Sequence, residues 1–161
     1  MPSLKISIAR QTLELLTDRG EVTAIYPVST ATLGPGERQG SNQTPRGRHI
    51  VRARIGGGAA FNTVFVGRRP TGEIYSAELA ERFPNRDWIL TRILWLSGCE
   101  PGFNRLGSVD TMRRYIYIHG SPDSAEMSMP GSIGCVRMWN RHIVDLFDRV
   151  PAYTSVIIDE A

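Results

Sequence analysis

At 161 residues the chain has the length of one domain, residues 1–161, and can bury a core without metal or disulfide staples. Its 41% hydrophobic and 22% charged residues are those of an ordinary globular protein, and no window approaches the roughly 18 apolar residues of a membrane span. The net charge of +3 does not point to nucleic acid: all but one of the 19 basic residues are arginines, scattered except at Arg68-Arg69 and Arg113-Arg114.

The N-terminal stretch "MPSLKISIARQTLELLTDRG" is broken by Lys5, Arg10, Glu14 and Asp18, so it lacks the apolar run of a secretory signal. With Met1 as the native start the protein is expected in the cytoplasm, and in the periplasm if a leader has been removed. Leu4, Ile6 and Ile8 alternate with polar residues and predict a first strand. A second strand follows, a turn at Asp18-Arg19-Gly20, and a third strand from Val22 to Ser29. "ATLGPGERQGSNQTPRG" is a long polar loop, after which alternation resumes at His49, Val51, Ala53 and Ile55. "NTVFVGRRPTGEIYS" predicts a hairpin turning at Pro70-Thr71-Gly72. "AELAERF" predicts a short helix stopped by Pro84, and "ILTRILWLSG" and "RRYIYIHG" two further strands. Ile143, Val144, Leu146, Phe147 and Val150 form a helical stripe with Asn140 as N-cap, and "TSVIIDE" closes the chain as a strand. Mostly β with one late helix, the pattern predicts a sandwich or barrel with a helix packed on it.

Fifteen residues separate His119, at the end of "YIYIHG", from Cys135 in "GSIGCVRM". Period-two geometry places Tyr115, Tyr117 and His119 on one strand face and Ile116 and Ile118 on the other. A thiol needs a partner to ionise near neutral pH, and an imidazole can supply it. Backbone N–H groups around Gly134 and Cys135 would suit an oxyanion, and the planar fork of Arg137 a substrate carboxylate. The bland reading is a buried small thiol and a structural histidine. Spacing alone leaves both open. Trp95 is either a wall of the site or core, Arg113 and Arg114 are read as strand-surface charge, and Glu100, Asp110, Asp123 or a backbone carbonyl could each orient His119. Cys99 is read as a half-buried structural thiol. With no CxxC spacing and a cytoplasmic address, no disulfide to Cys135 is expected. The three histidines have no metal-ligand spacing, so neither metal nor cofactor is expected.

The "HG" pair followed at this distance by a S-x-G-C-x-R box resembles the signature of the L,D-transpeptidase catalytic domain, the YkuD-like family. "YPVSTA", "QTPRGRHIV" and "LFDRV" with "SVIID" resemble other stretches of that family in the same order. The resemblance implies its mainly β, sandwich- or barrel-like fold and cysteine acyl-enzyme chemistry on peptidoglycan stem peptides. Carried over, Cys135 is the nucleophile and His119 the base. Gly120 helps hold the ring through its backbone, Ser132 and Gly134 flank the turn, and Arg137 faces the substrate. One departure stands out: Ile133 occupies the place where a second histidine is common, leaving His119 without a substitute.

Such enzymes attack the carbonyl of the third-position diamino acid and expel D-alanine. The acyl group then passes to water (L,D-carboxypeptidase) or to an amine (L,D-transpeptidase). Without an export signal the hydrolytic role is expected, acting on muropeptides in recycling, and "DTMRRYIYIHG" with "GFNRLG" resembles cytoplasmic carboxypeptidases of the family. Two other classes stand beside it: a peptidoglycan-binding module that needs no thiol, and a serine hydrolase using Ser132. The latter conflicts with the missing first glycine of a G-x-S-x-G elbow. The sequence sets no oligomeric state.

Overall fold

In the computed structural model, which describes residues 1–161, Leu4 and Ile6 bury one face of strand β1 (Ser3–Ser7), and Leu13 and Leu15 do the same in β2 (Thr12–Leu16). After the predicted turn, β3 (Val22–Pro27) completes an antiparallel meander. The long polar loop leads to β4 (Gly47–Ile55), the hairpin β5 (Thr63–Val66) and β6 (Arg69–Ile74), helix α1 (Ala77–Arg82) and β7 (Leu90–Gly98). Then come β8 (Tyr117–Ser121), β9 (Val136–Trp139), α2 (Asn140–Arg149) and β10 (Ser155–Asp159). The sheet runs β3-β2-β1-β10-β4-β7-β5-β6, and β8 branches from β7 to pair in parallel with β9. It curls into a half-barrel carrying two helices, the mainly β fold that the sequence predicts.

Alternation decides which side of this sheet becomes core. Leu94 and Leu96 of β7, Ile116 and Ile118 before and in β8, and Val136 and Met138 of β9 join Ile143, Leu146 and Phe147 of α2 in one buried cluster. The intervening residues face the other way. Ile93 and Tyr117 pack there with Phe65 in a smaller cluster, flanked by Trp95 and Cys135. His119 sits opposite Arg137 in the parallel β8–β9 register, on that same second face.

Four local expectations are corrected. The hairpin turns at Gly67-Arg68, not at Pro70-Thr71-Gly72: both residues have positive φ, 56° and 65°, and Val66 pairs with Arg69. A two-residue turn that follows the strand twist needs that backbone, and Pro70 instead lies in β6, a strand at the sheet edge. The strand before His119 starts only at Tyr117, because Tyr115 adopts φ 57° and lies exposed. His119 is not at a strand end but in the middle of β8, 1% exposed. Asn140 is the first residue of α2, with Trp139 at the N-cap position; its side chain turns inward to Thr91 Oγ1 (2.7 Å) and Asn62 Oδ1 (2.7 Å).

Candidate active site

The glycine- and serine-rich segment that delivers Cys135 is stitched to the stretch after β3. Gly131 and Ser132 both donate their N–H to Thr30 O (2.8 and 2.9 Å), Thr32 N donates to Ser132 O (3.0 Å), and Ser29 and Arg137 exchange two backbone bonds. Gln11 fixes Thr30 in turn: its Nε2 donates to Thr30 Oγ1 (2.6 Å) and its Oε1 accepts from Thr30 N (2.9 Å). Around the cysteine itself, Ser132 Oγ donates to Cys135 O (2.6 Å) and accepts from Gly134 N (3.2 Å). Thr44 Oγ1 donates to Gly134 O at 2.9 Å. Gly134 takes φ 137°, a conformation closed to side chains, and a Cβ there would press on Ile116 Cδ1 at 3.1 Å. The expected pair of oxyanion donors is therefore reduced. Gly134 N–H is committed to Ser132, while the Cys135 N–H makes no hydrogen bond within the protein.

His119 presents its ring with one nitrogen fixed. Its Nδ1 lies 2.7 Å from Gly120 O, which can only accept, so Nδ1 carries the proton and Nε2 is the basic nitrogen. Nε2 is buried and without a partner. Burial lowers the imidazole pKa, against the raising effects of the Asp87 charge and the Gly120 carbonyl. The Cys135 sulfur accepts from Tyr117 N–H at 3.3 Å and donates its thiol proton to Tyr115 O at 3.4 Å. Burial pushes that thiol up to about 12; the Tyr117 N–H works against the shift and Asp87 adds to it. Burial thus works against both charged forms, the thiolate and the imidazolium alike. None of Glu100, Asp110 or Asp123 touches the ring: they bind Arg48 N, the N–H groups of Leu106 and Arg113, and Arg141.

Cys135 opens into a cavity of about 420 Å³ walled by Arg68, Asp87, Arg114, Tyr115 and the exposed Ile133. A second cavity of about 240 Å³ shares Asp87 and is lined by Ser121 and Arg137. A third of about 330 Å³ shares Tyr75, Pro122 and Ser124 with the second, so the three follow one another along a cleft. Between the first two, Arg137 pairs with Asp87 at 3.3 Å. The fork expected to face a substrate is thus engaged by a carboxylate of the loop before β7.

Sequence reading passed over Arg68 and Asp87 as site residues and misplaced Arg114. Arg114 is no strand-surface charge: it donates to Gly36 O (3.2 Å), Ser41 Oγ (3.2 Å) and Gln43 O (2.6 Å), tying the polar loop to the cavity wall. No spacing pattern announces contacts that distant, but the misplaced hairpin turn concealed Arg68. Trp95 packs with the small cluster and donates Nε1–H to Met112 O (3.1 Å), and Cys99 and Cys135 are both free thiols.

Solved structures share this arrangement of strands. The L,D-transpeptidase of Xylanimonas cellulosilytica superposes with a TM-score of 0.54 at 20% identity, over 98% of this chain and 60% of that one. For an L,D-transpeptidase from Mycobacterium smegmatis the values are 0.55, 16%, 98% and 58%. For L,D-transpeptidase 3 from Mycobacterium tuberculosis, solved with a faropenem-derived adduct, they are 0.60, 14%, 99% and 61%. The chain spans about three fifths of the length of these neighbours. No curated protein matches it in sequence. Residues 2–158 match the model of the L,D-transpeptidase catalytic domain (YkuD), and the chain belongs to that family.

Proposed function

We propose that residues 1–161 act as one catalytic domain, a cysteine acyl-enzyme peptidase that removes the terminal D-alanine from peptidoglycan stem tetrapeptides. The observation that carries this reading is the unpartnered, buried Nε2 of His119, on the sheet face that also bears Cys135, with the opposite ring nitrogen locked by Gly120. In this reading Sγ attacks the carbonyl carbon of the third residue while its proton passes to Nε2. The N–H of Cys135 receives the developing oxyanion. The C–N bond to D-alanine breaks, and the imidazolium returns its proton to the leaving amine. Water, deprotonated by the same nitrogen, then attacks the thioester, and the thiol regains its proton. A resting pair whose charged forms burial disfavours suits proton transfer that occurs only once substrate bridges the two groups.

The hydrolytic outcome, and a cytoplasmic site of action with it, is supported by the resemblance of "DTMRRYIYIHG" and "GFNRLG" to cytoplasmic carboxypeptidases of the family. Mass spectrometry of the protein with a defined disaccharide tetrapeptide tests the reaction. Free D-alanine and tripeptide are expected, and cross-linked dimers would instead establish transpeptidation. Loss of release in Cys135→Ala separates an enzyme from a binding module. A neighbour in the family carries a faropenem-derived adduct. A β-lactam adduct on Cys135, from a penem or a carbapenem, is the corresponding expectation here.

A further inference from the structure

Arg68 stands at the hairpin tip with φ 65°, a backbone state that disfavours a long side chain by roughly 1–2 kcal/mol. Its guanidinium lies 4.8 Å from the Trp95 ring centroid and 4.7 Å from that of Tyr115, and its Nη1 donates to Tyr117 Oη at 3.1 Å. Tyr115 and Tyr117 are also the two residues whose backbone groups touch the Cys135 sulfur. The charge is therefore fixed over an aromatic floor in the same cavity as the nucleophile.

Three guanidinium groups surround this centre, and they differ in what they hold. Arg137 is paired with Asp87. Arg114 is committed to three acceptors of the polar loop. Arg68 meets no carboxylate, and a single phenol oxygen is its only hydrogen-bond acceptor, so most of its planar fork is unused. A flat, oriented guanidinium with free N–H groups is built to receive a carboxylate.

We infer that Arg68 is a substrate-binding residue that pairs with a peptide carboxylate close to the scissile bond. The inference rests on the peptidase reading of the same site. Two carboxylates meet this description: that of the departing D-alanine, and that on the side chain of a carboxylated diamino acid such as diaminopimelate. Recognition of the first would confine the enzyme to peptides ending one residue beyond the attacked carbonyl.

Binding to the non-reacting Cys135→Ala protein decides it. Titration calorimetry would compare tetrapeptides ending in D-alanine or D-alaninamide, each with lysine or diaminopimelate at position three. Loss of the recognised carboxylate should weaken binding about 10- to 100-fold, and adding Arg68→Gln should abolish that difference by weakening only the acid form. A dependence on the terminal group identifies D-alanine as the partner, and a dependence on lysine against diaminopimelate identifies the side chain. Arg68→Lys, which keeps the charge, should retain part of the preference. Equal losses for all four peptides, or no dependence on either carboxylate, would overturn the inference and leave Arg68 a clasp for the hairpin and nothing more. D-alanine release by the wild-type protein is followed in parallel. Its absence would refute the hydrolytic reading, while the calorimetry still decides Arg68.

Discussion

The two walls of the cleft are built in different ways. Along the β8–β9 wall every residue of β8 is buried, and the approach to Cys135 is tied down by Gln11, Thr30, Thr44 and Ser132 through bonds that are mostly internal. On the opposite wall β6 is nearly all exposed and α1 buries no residue. That wall is held instead by arginines. Arg86 bonds Glu73 at 2.6 and 3.1 Å and stacks over Trp88 at 4.7 Å, and Arg68 clasps the hairpin tip. Segments with few buried apolar contacts open at lower free energy. The proposed nucleophile and base thus sit on the wall that cannot adjust, and the charged groups suited to recognition sit on the wall that can.

The largest test of this division is at the reacting atoms. Cys135→Ala should reduce D-alanine release at least about 10³-fold while leaving the melting temperature nearly unchanged, because the sulfur lies at the edge of the small cluster. His119→Gln should cost a comparable factor in a steady-state assay. Iodoacetamide alkylation of Cys135 should rise roughly tenfold per pH unit up to about pH 10 without a plateau, since its thiol titrates only at about 12.

Acid should act next, at His119 on the rigid wall and at His49 in β4. His49, buried between Gly47 O and Thr111 Oγ1, is lowered to about 4, and His119 is lowered too, in both cases chiefly by burial. The unfolded chain binds protons at these sites first, so stability is complete above the ordinary histidine pKa and is lost as pH falls towards 4. His49 alone accounts for about 3 kcal/mol. The raised Cys135 thiol acts at the other end: the unfolded chain ionises first, and stability declines as pH climbs from the ordinary thiol range towards 12. Denaturant midpoints measured from pH 4 to 10 check both slopes.

A backbone test follows. Gly134→Ala should destabilise the fold by about 1–3 kcal/mol in urea melts, since φ 137° excludes a side chain. Smallest in overall effect is Arg86→Ala on the opposite wall. Amide exchange over residues 63–89 should quicken several-fold while the global melt barely moves, because the half-buried Arg86–Glu73 pair ties down an edge strand outside the main core. If Arg86→Ala instead lowered global stability as much as Gly134→Ala, the contrast between the walls would fail.

What the sequence disclosed divides along the same line. The faces of β8 were legible because strand alternation is local, placing Ile118 in the core and Tyr117 and His119 opposite; β9 was not, since its four residues form a strand only by pairing in parallel with β8. On the hairpin wall the hairpin and α1 were legible, but the place of the turn was not. Pro-Thr-Gly carries stronger turn chemistry than Gly-Arg, yet the turn formed where two consecutive residues accept positive φ. Asn140 reads as a cap until the bulge in β7 is known. Thr91 takes φ 74° there, and its hydroxyl, donating to Asn140 Oδ1 and accepting from Asn62 N, holds that bend. Arg114 anchors a loop more than seventy residues away, a relation that only the folded chain reveals.

β10 is the final strand of the sequence but lies in the middle of the sheet, parallel to β1 and antiparallel to β4. During synthesis the meander β1–β3 and the remainder of the sheet therefore wait as two pieces with bare edges, and only the arrival of Ser155–Asp159 joins them. A chain cut short before Ser155 would carry the whole histidine-to-cysteine segment and still present two unpaired strand edges to its neighbours. Unfinished molecules should accordingly be lost to aggregation and proteolysis rather than survive as partly active enzyme.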